Sequence, residues 1–319
     1  MTIVGAGDPA ERWLRRRLLP SDGERGLSDA VKFLLLATIY LLMAALGMSL
    51  SLRELWARWR SQSAGNWIRL LVVTFIVPPT LALLLSHAFR LTGQETAGLF
   101  MIGCAPGAPL LTRNVSNKGF DMHMAASYQL WAALMIVVMV PLLTATAGAI
   151  YDRDVWIPPR ALLPQVITRQ LLPIAIGWVL ATLLPGLSRR LLPLVIKTGN
   201  LMLILSIVIL LYFLGKEIRQ TTPMVPVAVL LLAVGCMAAV HAIHLGDRGI
   251  RRLFALCNAN RHVGLALIIT SSFLHLQKSV PAIACYAAIA PLVMVVYAKL
   301  FPAAKSLRDA ADGIQRLES

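Results

Sequence analysis

Cys257-Asn-Ala-Asn-Arg-His-Val-Gly264 sits between two apolar runs, Leu253-Phe-Ala-Leu256 and Leu265-Ala-Leu-Ile-Ile269. Neither flank can cross a bilayer alone, because a spanning helix needs about 20 apolar residues. Joined, they make one span with Asn258, Asn260, Arg261 and His262 near its middle. An arginine there costs about 2.5–3.5 kcal/mol on insertion scales, so it must meet an anion, an acidic side chain or water. A second interruption, about 150 residues earlier, reads Gly103-Cys-Ala-Pro-Gly-Ala-Pro-Leu-Leu-Thr-Arg-Asn-Val-Ser-Asn117. Gly103, Pro106, Gly107 and Pro109 crowd a single helical stretch. A mid-helix proline removes a backbone hydrogen bond and clashes with the turn before it, so the pattern predicts an unwound centre. Hydrocarbon offers no partner to backbone freed in this way. Two interrupted spans in separate halves of a chain point to a binding site at mid-membrane. Two other readings stay open. The first span could be kinked but complete, with its polar end an exit loop. The second could have a shifted boundary and a snorkelling Arg261.

The rest of the chain agrees with a membrane setting. Of 319 residues, 58% are hydrophobic and only 14% charged. A soluble domain of this size does not need so much apolar surface, so the composition predicts a polytopic membrane protein. Few residues are aromatic and Leu, Val, Ile and Ala dominate, which suits helices rather than the alternating strands of a barrel. The expected fold class is therefore all-α, with about nine (8–10) transmembrane helices: roughly 31–51, 67–89, 96–117, 122–150, 162–186, 193–214, 225–246, 251–275 and 280–301. Residues 1–30 form a basic tail without a cleavable-signal pattern. Within it, Arg12-Trp-Leu-Arg-Arg-Arg-Leu-Leu19 could be a surface helix or simple tail. Residues 31–301 form one transmembrane domain, broken near 103–119 and 253–275, and 302–319 form a polar tail.

The formal net charge is +15. Its Lys and Arg lie mostly in connections between spans, which reads as positive-inside topology rather than nucleic-acid binding. Arg53, Arg58, Arg60, Lys118, Arg189, Arg190, Arg248, Arg251, Arg252, Lys305, Arg308 and Arg316 share one side. Arg90, Arg153, Arg160, Lys216, Arg219 and Lys278 share the other. The imbalance favours a cytoplasmic C-terminus in the inner (plasma) membrane of a bacterium. Nine spans then place the basic N-terminal tail outside, against the same rule, so the span count stays open.

The polar residues of the two interruptions are the candidate site. Thr112, Arg113, Asn114, Asn258, Asn260, Arg261 and His262 are the candidate substrate contacts. His262, Ser116 and Asn117 are the candidate ion-coupling groups, since His262 alone among them titrates near neutrality. Free N–H groups at half-helix starts attract carboxylates, and free carbonyls at half-helix ends attract cations. The partners implied are a small organic anion, a coupling sodium or proton, and the lipid bilayer. An exchange or efflux of a small oxyanion with proton coupling is the second transport reading. The four cysteines lack the spacing of a metal site or disulfide framework. No cofactor, catalytic group or resident metal is expected. One pattern from another class is His241-Ala-Ile-His244 followed by Asp247, whose histidines lie one turn apart and could serve an intramembrane metal-dependent enzyme. Its ordinary reading is a pair of interfacial histidines. The common enzyme motifs are absent.

Several motifs together resemble the bile acid:sodium symporter family. They are Gly103-Cys-Ala-Pro-Gly107, Val140-Pro-Leu-Leu-Thr144, Leu46-Gly-Met-Ser-Leu-Ser-Leu-Arg-Glu-Leu55, Leu171-Leu-Pro-Ile-Ala-Ile-Gly177 and His262-Val-Gly-Leu-Ala-Leu267. The resemblance runs in order from about residue 31 to 301. It implies an inverted-repeat transporter with a panel and a core domain, two crossing broken helices in the core, and organic-anion transport, usually with sodium. This chain departs from sodium-coupled relatives at the breaks. Where they carry Gly-Gly-Thr-Ala-Ser-Asn, it has Gly107-Ala-Pro-Leu-Leu-Thr112. Their glutamate and glutamine at the second break fall on Cys257 and Arg261, and another glutamine falls on Val73 or Thr74. Sodium wants hard oxygen ligands. The expectation is that Arg261, with Arg113, supplies fixed positive charge where relatives bind the cation.

Overall fold

A computed structural model describes residues 22–51, 60, 63–108, 111–116, 118–150, 163–164, 167–218, 221–271 and 279–303. The tail segment 12–19 and the polar tail from 304 lie outside the described residues. All named elements are helices: α1 (Asp22–Ser49), α2 (Ala64–Leu71, Val72–Ile76 and Val77–Ala88 end to end), α3 (Gly93–Cys104) and α4 (Leu111–Ser116). Then come α5 (Met122–Ile150), α6 (Ile167–Leu171 running into Leu172–Leu183), α7 (Pro185–Ile218) and α8 (Val225–Ala242). The chain ends in α9 (Arg248–Ala259), α10 (Val263–Ser271) and α11 (Val280–Leu300). No strand occurs among the described residues.

Among the described residues, four helices are long and apolar enough to cross a bilayer: Gly65–Ala88, Met124–Ala147, Val225–Ala242 and Val280–Leu300. Shorter apolar helices cover Phe33–Ser49 and Ile167–Leu183. Leucine, isoleucine and valine side chains such as Leu84, Val138, Ile176, Ile204 and Leu292 are exposed on their outer faces. Lipid, not water, suits that surface, and the protein is a multi-pass membrane protein. The breaks divide two of the expected spans into α3 with α4 and α9 with α10.

Two packing groups emerge. Helix α1 lies against α6 and α7. Its contact with α6 is backbone on backbone: a Cβ on Gly47 would stand 2.0 Å from the Ile174 carbonyl oxygen, and one on Gly177 would stand 2.0 Å from that of Ala44. Small residues let membrane helices approach this closely, and van der Waals packing then holds them where no hydrophobic effect acts between them. The second group sets α2, α3, α8, α9 and α11 around a large apolar core that includes Phe75, Leu99, Ile102, Leu232, Leu256 and Tyr286. A smaller cluster, including Ile39, Met43, Leu130 and Ile174, joins α1, α5 and α6.

Glu95 fastens one end of the second group. Thr92 caps α3, and the Glu95 carboxylate closes the box by accepting from the Thr92 N–H at 2.9 Å. The same carboxylate accepts from the Thr222 N–H at 2.7 Å and its hydroxyl at 2.9 Å. A buried carboxylate thus ties the start of α3 to the turn that begins α8, with its lone pairs satisfied.

Candidate functional site

The two breaks solve each other's backbone problem. Helix α3 stops at Cys104 and α9 at Ala259, and the exposed backbone of each runs antiparallel to the other, bridging Pro106 and Arg261. The His262 N–H donates to the Ala105 carbonyl at 2.7 Å, and the Ala108 N–H donates to the Asn260 carbonyl at 3.2 Å. Groups that hydrocarbon would leave unpaired are therefore paired across the crossing. Gly107 turns the chain at φ +77°, a conformation costly for residues with a Cβ. The Tyr286 hydroxyl donates to the Ala259 carbonyl at 2.7 Å, covering the end of α9.

Helix α2 supplies the floor of the site, and Pro78-Pro79 explains how. In the π-turn Val72–Ile76 the Val77 N–H reaches back to the Val72 carbonyl. Partners for the Thr74 carbonyl one α- or π-turn ahead would be residues 78 and 79, and neither proline has an N–H. The Val73 carbonyl loses its π-partner to Pro78 in the same way. Two carbonyls in mid-helix are left over, as at a helix end. The second break takes both. Arg261 Nη1 donates to the Thr74 carbonyl at 3.0 Å and to the Gly103 carbonyl, at the end of α3, at 3.2 Å. Asn258 Nδ2 donates to the Val73 carbonyl at 3.0 Å and to the Cys236 carbonyl at 2.8 Å. Asn258 Oδ1 in turn accepts from Arg261 Nη2 at 2.9 Å, and Cys236 Sγ lies 3.7 Å from the same nitrogen. Arg261 is only 2% exposed. Its positive charge is held by carbonyl and amide oxygens of α2, α3 and α9. Pro78 and Pro79 are the functional residues that the reading of the breaks misses, and a proline pair inside an apolar span is the signal that finds them.

His262 is fully buried and begins α10. Its Nδ1 accepts from the Leu265 N–H at 3.0 Å, so the ring caps the helix and the proton resides on Nε2. Nε2 has no partner among the described residues.

Beside the crossing lies a cavity of about 280 Å3. Asn260 and Arg261 line it from the second break, Ala108 from the first, and Lys118 from the turn after α4. Leu35 of α1, Leu203 and Ser206 of α7, and Pro291, Met294 and Val295 of α11 line it as well. It therefore opens between the two packing groups. Of the residues singled out from the sequence, Asn260 and Arg261 reach the cavity. Asn258 and His262 are buried and hydrogen-bonded within the crossing. Thr112 is half-buried on α4 and is not among the lining residues. The side chains of Arg113, Asn114, Ser116 and Asn117 lie outside the described residues.

The histidine pair is used otherwise. His241 Nε2 meets the Tyr297 hydroxyl, His244 Nδ1 donates to the Ala242 carbonyl, and Asp247 caps α9 by accepting from the Ile250 N–H. Among the described residues no three His, Cys, Asp or Glu side chains come together to hold a metal.

A family model described as Sodium Bile acid symporter family matches residues 36–221. The matched stretch contains the proline pair of α2 and the first break, and it ends before the second. No curated protein matched the chain.

Proposed function

The chain belongs to the Sodium Bile acid symporter family, and from that premise we propose that it is a secondary transporter of a small organic anion in which Arg261 stands where relatives hold a cation. The observation that carries this reading is the coordination of the guanidinium. The Thr74 and Gly103 carbonyls and Asn258 Oδ1 converge on it within 2.9–3.2 Å. These are hard oxygen ligands of the kind an alkali cation takes. Resemblance to sodium-coupled relatives puts their ion-binding glutamine on Arg261 itself and another on Val73 or Thr74.

An arginine does not release its proton, so this positive charge stays with the protein through the cycle. It favours an anion in the adjoining cavity without offering a site to sodium. Proton coupling through His262 is disfavoured because protonating Nδ1 would remove the cap of α10. Under this reading α1, α6 and α7 form the panel, the remaining helices the core, and the substrate is exposed to alternate sides as one group rocks against the other. The membrane is the bacterial inner membrane with the C-terminus in the cytoplasm, from the distribution of Lys and Arg.

The test is uptake into proteoliposomes of carboxylates chosen by thermal-shift screening, with equal sodium or choline inside and outside, then with a sodium gradient. The expected result is transport that is independent of sodium. Strict dependence on a sodium gradient overturns the reading.

A further inference from the structure

Where the guanidinium of Arg261 points is decided first by the turn that carries it. Helix α9 ends at Ala259, and Asn260 follows at φ −83°, ψ 81°, the central position of an inverse γ-turn. The Arg261 N–H closes that turn on the Ala259 carbonyl at 3.0 Å, and the Val263 N–H closes a second three-residue turn on the Arg261 carbonyl at 2.9 Å. So small a ring bends its hydrogen bond, and the turn is weakly held by its own contacts. The Ala259 carbonyl is among the last of α9 and has no helical partner ahead of it. Its second lone pair goes to the Tyr286 hydroxyl, at 2.7 Å. Tyr286 is fully buried and comes from α11. That helix packs on α3, α8, α9 and α10 of its own group and on α7 of the other. Tyr286 is also among the residues that line the cavity, with Asn260 and Arg261.

We propose that Tyr286 is a positioning residue of the site: its hydroxyl fixes the Ala259 carbonyl, and through it the turn that aims Arg261 at the Thr74 and Gly103 carbonyls. The use made of that charge rests on the anion-transporter reading above, whereas the aim itself rests on the hydrogen bonds of the break. A side chain can steady a turn from outside only if it is rigid itself. Tyrosine brings a stiff ring and two side-chain torsions, so its hydroxyl is held in place at little entropic cost. The seat of α11 against α7 is thereby tied to the direction of the guanidinium. Phenylalanine at this position keeps the cavity wall and loses the aim.

The experiment reads the aim of the guanidinium without any ligand. Cys236 Sγ lies 3.7 Å from Arg261 Nη2, and the S–H stretch of a thiol falls in an infrared window clear of other protein bands. On the purified full chain in nanodiscs the Cys236 band is assigned by its loss in Cys236→Ala, and Arg261→Met shows where it lies once the charge is gone. Should Arg261→Met fail to fold, Arg261→Gln, which keeps two donors, serves in its place. Tyr286→Phe is expected to move the band toward that charge-free position. It is expected to unfold within about 4 °C of the parent, since the Ala259 carbonyl keeps its bond from the Arg261 N–H. Adding Tyr286→Phe to the charge-free variant is expected to move the band no further, because a residue that acts through Arg261 has nothing left to act on. A band unmoved by Tyr286→Phe, or moved equally with and without Arg261, overturns the inference and leaves the transporter reading standing. So does a band moved by Tyr286→Leu but not by Tyr286→Phe, which would assign the effect to the ring. A hydroxyl that only stabilised the fold would lower the unfolding temperature and leave the band in place.

Discussion

The two breaks lie at the same crossing and do opposite work. The first is built from Gly103, Cys104, Ala105, Pro106, Gly107 and Ala108, and its contribution is backbone: the Gly103 and Ala105 carbonyls accept, and the Ala108 N–H donates. The second is built from Asn258, Asn260, Arg261 and His262, and its contribution is largely side chain. One supplies shape and acceptors, the other charge and donors. Among the described residues, the crossing thus draws its polar side chains from one element and its main-chain groups from both.

The largest break in that comparison comes from removing the charge. Arg261→Met keeps the length and apolar stem but leaves the Thr74 and Gly103 carbonyls and Asn258 Oδ1 without their donor. Unsatisfied buried acceptors cost about 1–3 kcal/mol each, so a destabilisation of about 3 kcal/mol or more is expected, with loss of transport. Chemical denaturation in detergent and proteoliposome uptake measure the two. A variant as stable as the parent would show that the carbonyls find other partners and that the guanidinium is not what they are arranged around.

Pro78→Ala tests the acceptor side from a distance. It returns an N–H to α2, whose acceptors in reach are the Thr74 carbonyl one α-turn back and the Val73 carbonyl one π-turn back, the two that Arg261 and Asn258 take. Helix propensity alone favours the change by about 3 kcal/mol. The expected signature is therefore split: an unfolding temperature unchanged or raised, and transport lowered roughly tenfold as Arg261 loses a charged hydrogen bond. Transport and stability falling together would mean that the proline matters for the backbone course past Gly103, where a Cβ would stand 3.0 Å from the Pro78 carbonyl carbon and 2.8 Å from Pro79 Cα, rather than for freeing a carbonyl.

The existence of the breaks was legible because glycine, proline and arginine stand out inside apolar runs. The end of α3 at Cys104, the end of α9 at Ala259 and the start of α10 at Val263 fall where the pattern interrupts. The family resemblance was legible from short motifs in order, and a family model matches it. The partners of Arg261 were not legible. Thr74 and Gly103 lie far from it in sequence, and a backbone carbonyl is common to every residue type. Only the missing N–H groups of Pro78 and Pro79 mark which carbonyls are available. For the same reason Asn258 and Asn260, identical in composition and two positions apart, could not be told apart from the sequence. One is satisfied at both ends of its amide, and the other lines the cavity while its buried amide nitrogen has no partner among the described residues.

Gly107→Ala probes the first break where it depends on backbone alone. A φ of +77° with a Cβ costs about 1–2 kcal/mol, and that Cβ would also stand 3.2 Å from the Ala132 methyl. A loss of stability in that range is expected from denaturation curves, with weakened but measurable transport. No loss would mean that the turn relaxes, and that the antiparallel pairing of the breaks does not require this geometry.

The smallest effect belongs to His262, the residue of the second break that behaves most like the first, since it works by completing a helix end. His262→Ala removes the acceptor for the Leu265 N–H and is expected to cost about 1 kcal/mol, the usual value of an N-cap. His262→Asn, which also caps, should recover most of it. Because Nδ1 is engaged with the backbone, neither variant should abolish a titration step in transport between about pH 5 and 8, the range in which histidine ordinarily switches. Rates measured across that range for parent and His262→Asn decide the matter. A step present in the parent and missing in the asparagine variant would make His262 a proton carrier, and the two breaks would then divide coupling from binding rather than charge from shape.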